Sequence, residues 1–169
     1  MGQLNEGMFS SDDDGWRTPP DLFRALDQEF HFELDAAATW ANALCRRYWT
    51  KKDDALTKPW DGPTYCNPPY GREIAGFVKK AVEEAARGEM VVMLLPARTD
   101  TRWWHDYVMQ AAEIRLIKGR LQFLGAPSSA PFPSVVAVFS PEAGVAPRMR
   151  VMAKDDEGDW VTYSGASKG

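Results

Sequence analysis

Cysteine is scarce, positive charge is in deficit, and no apolar stretch reaches membrane-spanning length; each shortage removes a class of protein. The two cysteines of the 169-residue chain, Cys45 and Cys66, lie far apart without metal-type spacing, which sets aside a zinc module and a disulfide scaffold. Acidic residues outnumber basic ones 24 to 20, for a formal net charge of -4, so the chain as a whole exerts no pull on a polyanion. A nucleic acid would have to be met by a local basic patch. Without a long apolar run there is no membrane anchor and no expected membrane partner. Residues 1–14 also lack the basic and apolar regions of a signal peptide; their polar, acidic character fits a flexible arm on a cytoplasmic protein. There is no internal repeat. The remainder, 44% hydrophobic overall, suits one continuous core rather than two. The expected division is an arm over 1–14, a single domain over 15–141 and a hairpin or tail over 142–169.

Thr18-Pro19-Pro20 reads as a helix start, with threonine able to cap and proline tolerated in the first turn, so a helix is expected over 19–29. Residues 30–34 alternate apolar and polar and run into Asp35-Ala36-Ala37-Ala38, as a strand does that ends on a carboxylate. Residues 39–63 are irregular, with at most a helical turn at 42–46. Thr64-Tyr65-Cys66 is a short strand stopped by Asn67-Pro68-Pro69-Tyr70, whose prolines lack the donors that a ladder needs. Ile74, Phe77, Val78, Ala81, Val82 and Ala85 recur at helical spacing up to a left-handed stop at Gly88. The continuous apolar run 90–95 predicts a central strand covered on both faces. A further helix is expected over 100–110, strands over 113–118 and 135–139, and a short strand over 119–124. Alternating strands and helices predict an α/β fold: a doubly wound, mainly parallel sheet with an antiparallel strand near the C-terminus. Ligands in such sheets sit at the strand C-termini.

The tetrapeptide Asn67-Pro68-Pro69-Tyr70 is the most specific chemical signal. A strand-end asparagine, two peptides without donors and an aromatic ring suit the holding of a planar amine. The Asn67 side-chain oxygen and the Pro68 carbonyl would accept from its two hydrogens, while Tyr70 stacks on the ring that bears it. As an ordinary turn the same four residues would need no ligand at all; their place between a buried-type strand and an amphipathic helix favours the site.

With Trp16-Arg17-Thr18-Pro19-Pro20, Leu34-Asp35-Ala36-Ala37, Asp53-Asp54-Ala55-Leu56, Cys66-Asn67-Pro68-Pro69-Tyr70-Gly71 and Leu94-Leu95-Pro96-Ala97-Arg98-Thr99-Asp100-Thr101, the chain resembles the phage-type DNA N-6-adenine methyltransferase family. Gly119-Arg120-Leu121-Gln122-Phe123 and Ala130-Pro131-Phe132-Pro133-Ser134 extend the likeness, which covers about 16–141. The resemblance implies a compact class I (Rossmann-like) methyltransferase, S-adenosyl-L-methionine as donor and adenine in DNA as acceptor. It implies a catalytic Asn67, Pro68, Pro69 and Tyr70, and a target base flipped out of the duplex. It also implies a donor site of Trp16, Thr18, Pro19, Asp35, Ala36, Ala37 and Asp54, with Asp35 facing the donor's ammonium and Thr18 its carboxylate. One departure stands out: no glycine lies between Gly15 and Gly62, so Ala36 to Ala38 stand where the family places a Gly-rich loop.

Arg72, Arg98, Arg102, Lys118 and Arg120 are the candidate phosphate contacts, expected along one rim of strand ends. Trp103 and Trp104 read as core anchors and His105 as structural. With no room for a separate recognition domain, the expected protein is a monomer or weak homodimer with a short target sequence, phage- or prophage-encoded in a bacterial host. Two alternatives stay open at this stage. The same tetrapeptide would serve a protein glutamine or an RNA base, and the missing glycines and acidic balance would suit a DNA- or donor-binding module without turnover.

Overall fold

The computed structural model describes residues 16–165; the expected arm at 1–14 lies outside them. One eight-stranded sheet runs in the order β2-β1-β3-β4-β6-β5-β7-β8. Its strands are β1 (Leu34–Asp35), β2 (Arg47–Tyr48), β3 (Thr64–Cys66), β4 (Val91–Pro96), β5 (Glu113–Ile117), β6 (Ser134–Phe139), β7 (Arg148–Lys154) and β8 (Trp160–Tyr163). The sheet is mostly parallel: β2, β1, β3 and β4 run together, and β5 with β7, while β6 inserts antiparallel to both β4 and β5. β8 closes the far edge as a hairpin with β7, so residues 148–163 continue the sheet.

Helix α1 (Pro20–Phe30) begins as its sequence predicts, with proline in the first turn, but Thr18 does not cap it: Pro19 holds that position and no side chain bonds there. The helix runs through Phe30 because His31 caps its end in the left-handed region at φ 54°, donating its N–H to the Asp27 carbonyl. Backbone spent on that cap cannot pair in a ladder, so the strand expected over 30–34 shrinks to Leu34–Asp35. Helix α2 (Ile74–Ala86) buries Ile74, Val78, Ala81 and Ala85, as the periodicity requires, and Gly88 follows at φ 101°. The helix expected over 100–110 breaks. Helix α3 (Arg102–Asp106), capped by the Thr101 hydroxyl, gives way at Tyr107 to a 3-10 turn. Residues 119–124 form no strand beyond a single bridge from Leu124 to Arg17. The irregular 39–63 segment holds the two-residue β2 and two 3-10 turns, with no helix at 42–46.

Every residue of β3, β4 and β6 is buried, so both faces are covered. Rings of α1 and the loop after it, Phe23 and Phe32, pack on Tyr65 on one face, and α2 packs against β4, β6 and α3. Trp104 is buried and Trp103 packs at the edge of the core, the anchoring role expected of them. Burying the side chains of Val91 to Leu95 contributes on the order of 2 kcal/mol each before entropy is counted.

Candidate active site

The C-terminal ends of β1 and β3 open on a cavity of about 380 Å³. Residues 16–18 line it with 35–39 leaving β1, 67–70 leaving β3 and part of the loop 49–56. Of the site residues expected from the sequence, Trp16, Thr18, Asp35, Ala36, Ala37, Asp54, Asn67, Pro68, Pro69 and Tyr70 all reach this space. Pro19 does not; it is buried behind the wall and Pro20 takes its place in the lining.

Asn67 is held by the nitrogen end of its carboxamide. Nδ2 donates to the Trp16 carbonyl at 2.5 Å and to Thr18 Oγ1 at 3.2 Å. A backbone carbonyl can only accept, which settles the orientation of the amide. Oδ1 is thereby left buried with no partner among the described residues. No described residue donates to the Pro68 carbonyl either. Two adjacent acceptors stand without a described donor beside the cavity, whereas most buried polar atoms in proteins are paired.

Tyr70 donates its hydroxyl to the Leu94 carbonyl of β4 at 3.0 Å, and its ring is 9% exposed. Burial, then Tyr65 and Cys66, hold the phenol well above its usual pKa against the opposing pull of Arg98, so it stays a neutral donor. The ring meets Phe132 edge-on at 5.7 Å and Phe123 at 6.3 Å, and Trp16 meets the same two rings at 5.1 and 5.3 Å. Tyr70 is thus a wall set among rings. Phe123 and Phe132 are site neighbours that the residue reading passed over, although both lie in the motifs of the resemblance.

Asp35 is 3% exposed; Oδ1 accepts from the Ala37 N–H at 3.2 Å and Oδ2 from Leu44 at 3.1 Å. Burial pushes its pKa up to about 6 against those two bonds, and no lysine or arginine among the described residues pairs with it. Asp53 and Asp54 part company. Asp53 accepts from the N–H and hydroxyl of Thr50, both at 2.8 Å, whereas Asp54, in the left-handed region at φ 57°, lines the cavity. The absent glycines also find their reason. After β1 the chain does not turn into a helix: Ala36 donates to Tyr65 and Ala38 to Trp49, so this segment stays extended between β2 and β3. No residue of 36–46 has a positive φ, and alanine suffices.

The five expected phosphate contacts are exposed, and none lines the cavity. Lys118 and Arg120 border a separate depression with Pro19, Asp21 and Trp160, while Arg98 lies near enough to Tyr70 to act on its phenol. The basic residues that do line the cavity are Arg17 and Lys51. Arg17 pairs with no described carboxylate, and its buried Nε has no partner among the described residues. Sequence reasoning missed it by seeking cations only after the strands. His105 bonds the Thr99 carbonyl at 2.8 Å, a loop tie. Burial pushes the Cys45 thiol up to about 12 and the Cys66 thiol well above its usual value, so neither is a thiolate nucleophile near neutral pH.

The eight-stranded, mostly parallel sheet with a cavity at its strand ends is the compact class I methyltransferase fold. Residues 7–155 match the family model described as DNA N-6-adenine-methyltransferase (Dam), and the chain belongs to that family. It is similar to the DNA N-6-adenine-methyltransferase of Escherichia phage T1, 34% identical over 111 residues that cover 64% of this chain and 46% of that protein. The protein of the same description from Haemophilus phage HP1 (strain HP1c1) is 35% identical over 120 residues, 68% of each chain. The chain therefore spans just under half the length of the first relative and about two thirds of the second.

Proposed function

We propose that the protein transfers a methyl group from S-adenosyl-L-methionine to the exocyclic N6 amino group of adenine in DNA. The observation that carries this reading is the pair of unused acceptors, Asn67 Oδ1 and the Pro68 carbonyl, beside the cavity. An adenine amine has two hydrogens and a lone pair delocalised into its ring. Accepting from both hydrogens draws the nitrogen towards a tetrahedral shape and frees the lone pair for attack. Such an arrangement needs alignment and a dry site more than a strong base.

The residues present fit the donor. Asp35 is a buried carboxylate without a cation, placed to face an ammonium; Thr18 offers a hydroxyl, and Asp54 a carboxylate at the mouth for a ribose. When bound, the donor supplies an electrophilic methyl group. The protein's own residues do the rest: Asn67 and Pro68 orient the amine, Pro69 keeps the backbone free of competing donors, and Tyr70 with Phe132 and Trp16 walls the base. Because a stacked base cannot reach this site, the target adenine is flipped out, at a cost of a few kcal/mol that ring contacts offset. Arg17 at the cavity and the exposed Arg72, Arg98 and Arg102 meet backbone phosphates; Lys118 and Arg120 do so only for DNA that extends past α1. The phage origin of the relatives supports a protein acting in a bacterial host, in its cytoplasm and as a monomer or weak homodimer on this reading.

The test is transfer of tritiated methyl to unmethylated plasmid DNA, followed by nucleoside chromatography. Label in N6-methyladenine that Asn67→Ala abolishes is the expected outcome. Label in protein or RNA with none in DNA would overturn the reading.

A further inference from the structure

The tie on Asn67 continues one residue further than the tetrapeptide. Thr18 Oγ1 lies 2.6 Å from the Tyr65 hydroxyl and also receives the Asn67 Nδ2 hydrogen. The direction of the Thr18–Tyr65 bond follows from satisfaction. Tyr65 is 1% exposed and its hydroxyl has no other partner, so were Thr18 the donor, the phenolic hydrogen would be buried without an acceptor. Tyr65 must donate. Burial keeps the phenol protonated at any working pH, so this direction does not switch. Thr18 Oγ1 then accepts twice, from Tyr65 and from Asn67, which uses both of its lone pairs. Its own hydrogen has no acceptor among the described residues, and Thr18 lines the cavity.

We infer that Tyr65 is a positioning residue for the amine site: by donating to Thr18 it commits that hydroxyl to hold the Asn67 nitrogen, so that Asn67 Oδ1, and not Nδ2, is the amide atom left without a described partner. The chain Tyr65 O–H to Thr18 Oγ1, met by Asn67 N–H from the other side, makes a rotated amide a paired fault. Flipping Asn67 would set its oxygen against the Trp16 carbonyl and against a threonine whose hydrogen would have to leave the cavity. The same arrangement gives Thr18 one hydrogen bond to offer a ligand acceptor, such as a carboxylate oxygen. Thr18 thus touches both halves of the site, and Tyr65 touches neither ligand.

This inference rests on the adenine reading for its catalytic consequence and on the geometry alone for its structural one, so two measurements are needed. The first is the side-chain amide pair of Asn67 in nitrogen-15 NMR spectra of the full chain, assigned by loss in Asn67→Ala. In Tyr65→Phe the pair is expected to shift and its hydrogens to exchange faster with solvent. Thr18→Val should do the same, and Thr18→Ser should restore the slow exchange. The second is turnover: Tyr65→Phe is expected to lower kcat about tenfold with KM for DNA, and S-adenosylhomocysteine affinity by calorimetry, within about twofold. An unchanged amide pair in Tyr65→Phe overturns the inference, whatever Thr18→Val does, as does a loss confined to KM or to S-adenosylhomocysteine affinity. A wild-type protein that labels no adenine, yet shows the amide shift in Tyr65→Phe, sinks the function proposed above and upholds the positioning role.

Discussion

The two ends of the sheet treat buried charge in opposite ways. At the β5, β7 and β8 end, Arg115 is almost fully buried and forks between Glu113 at 2.7 Å and Glu29 of α1 at 2.5 Å, with Arg150 3.4 Å from Glu113. Nearby, Asp21 receives Lys154 at 2.8 Å and the Trp160 indole at 3.1 Å. At the cavity end, among the described residues, Asp35 has no cation, Arg17 no anion and Asn67 Oδ1 no donor. The first end spends its polar groups on holding α1 to the sheet. The second leaves them without described partners, which costs the protein stability.

Breaking the paired end has the largest expected effect. Arg115→Ala leaves Glu113 buried without its main partner and is expected to cost about 3–5 kcal/mol in urea unfolding, while S-adenosylhomocysteine still binds the folded fraction. Removing a group from the second end should do the reverse. Asn67→Ala is expected to lower methyl transfer by roughly 10²–10³-fold, with the thermal midpoint moved by no more than about 2 °C. Asp35 sharpens the contrast through pH. Its pKa rises from 3.8 unfolded to about 6 folded, so between those values the folded state binds the extra proton. Its contribution to stability therefore falls as pH rises through that window, by up to about 3 kcal/mol. Urea midpoints at pH 4.5 and 7.5 should differ less in Asp35→Asn than in wild type, and donor-analogue affinity should rise through pH 6 only in wild type. The smallest effect belongs to Arg17→Gln. It should weaken DNA binding several-fold and reduce the slope of log affinity against log salt by about one; an unchanged slope with weaker S-adenosylhomocysteine binding would assign Arg17 to the donor instead.

How much of this could be read beforehand depended on how far each feature is written in side chains. α2 and β4 were legible because their burial repeats over many residues: a 3.6-residue stripe from Ile74 to Ala85 and an unbroken apolar run into Leu95. β1 and β2 hold two residues each and exist because neighbouring strands supply the pairing, which no local pattern records. The end of α1 was misplaced because His31 takes a conformation that usually calls for glycine or asparagine. In the site, Asn67 and Asp35 stood out by type and by their place at strand ends, whereas Thr18 came from the family resemblance and its reading as a helix cap did not hold. The Trp16 carbonyl was not, since every residue has one, and neither was Tyr65, which looks like any buried strand aromatic until its hydroxyl is found against Thr18.

The contacts of residues 16–18 carry one more consequence, which concerns time. Trp16 and Thr18 reach Asn67 across 51 and 49 residues, and Thr18 reaches Tyr65 across 47. These are closures of loops of about fifty residues, whose entropy must be offset before the contacts form, so they follow the local contacts of α1 and the turns. As the chain leaves the ribosome, the first of these residues wait, exposed, until β3 has followed them and found its place. The Asn67 amide acquires its direction only then. A half-folded chain owns the whole tetrapeptide and has no oriented amide.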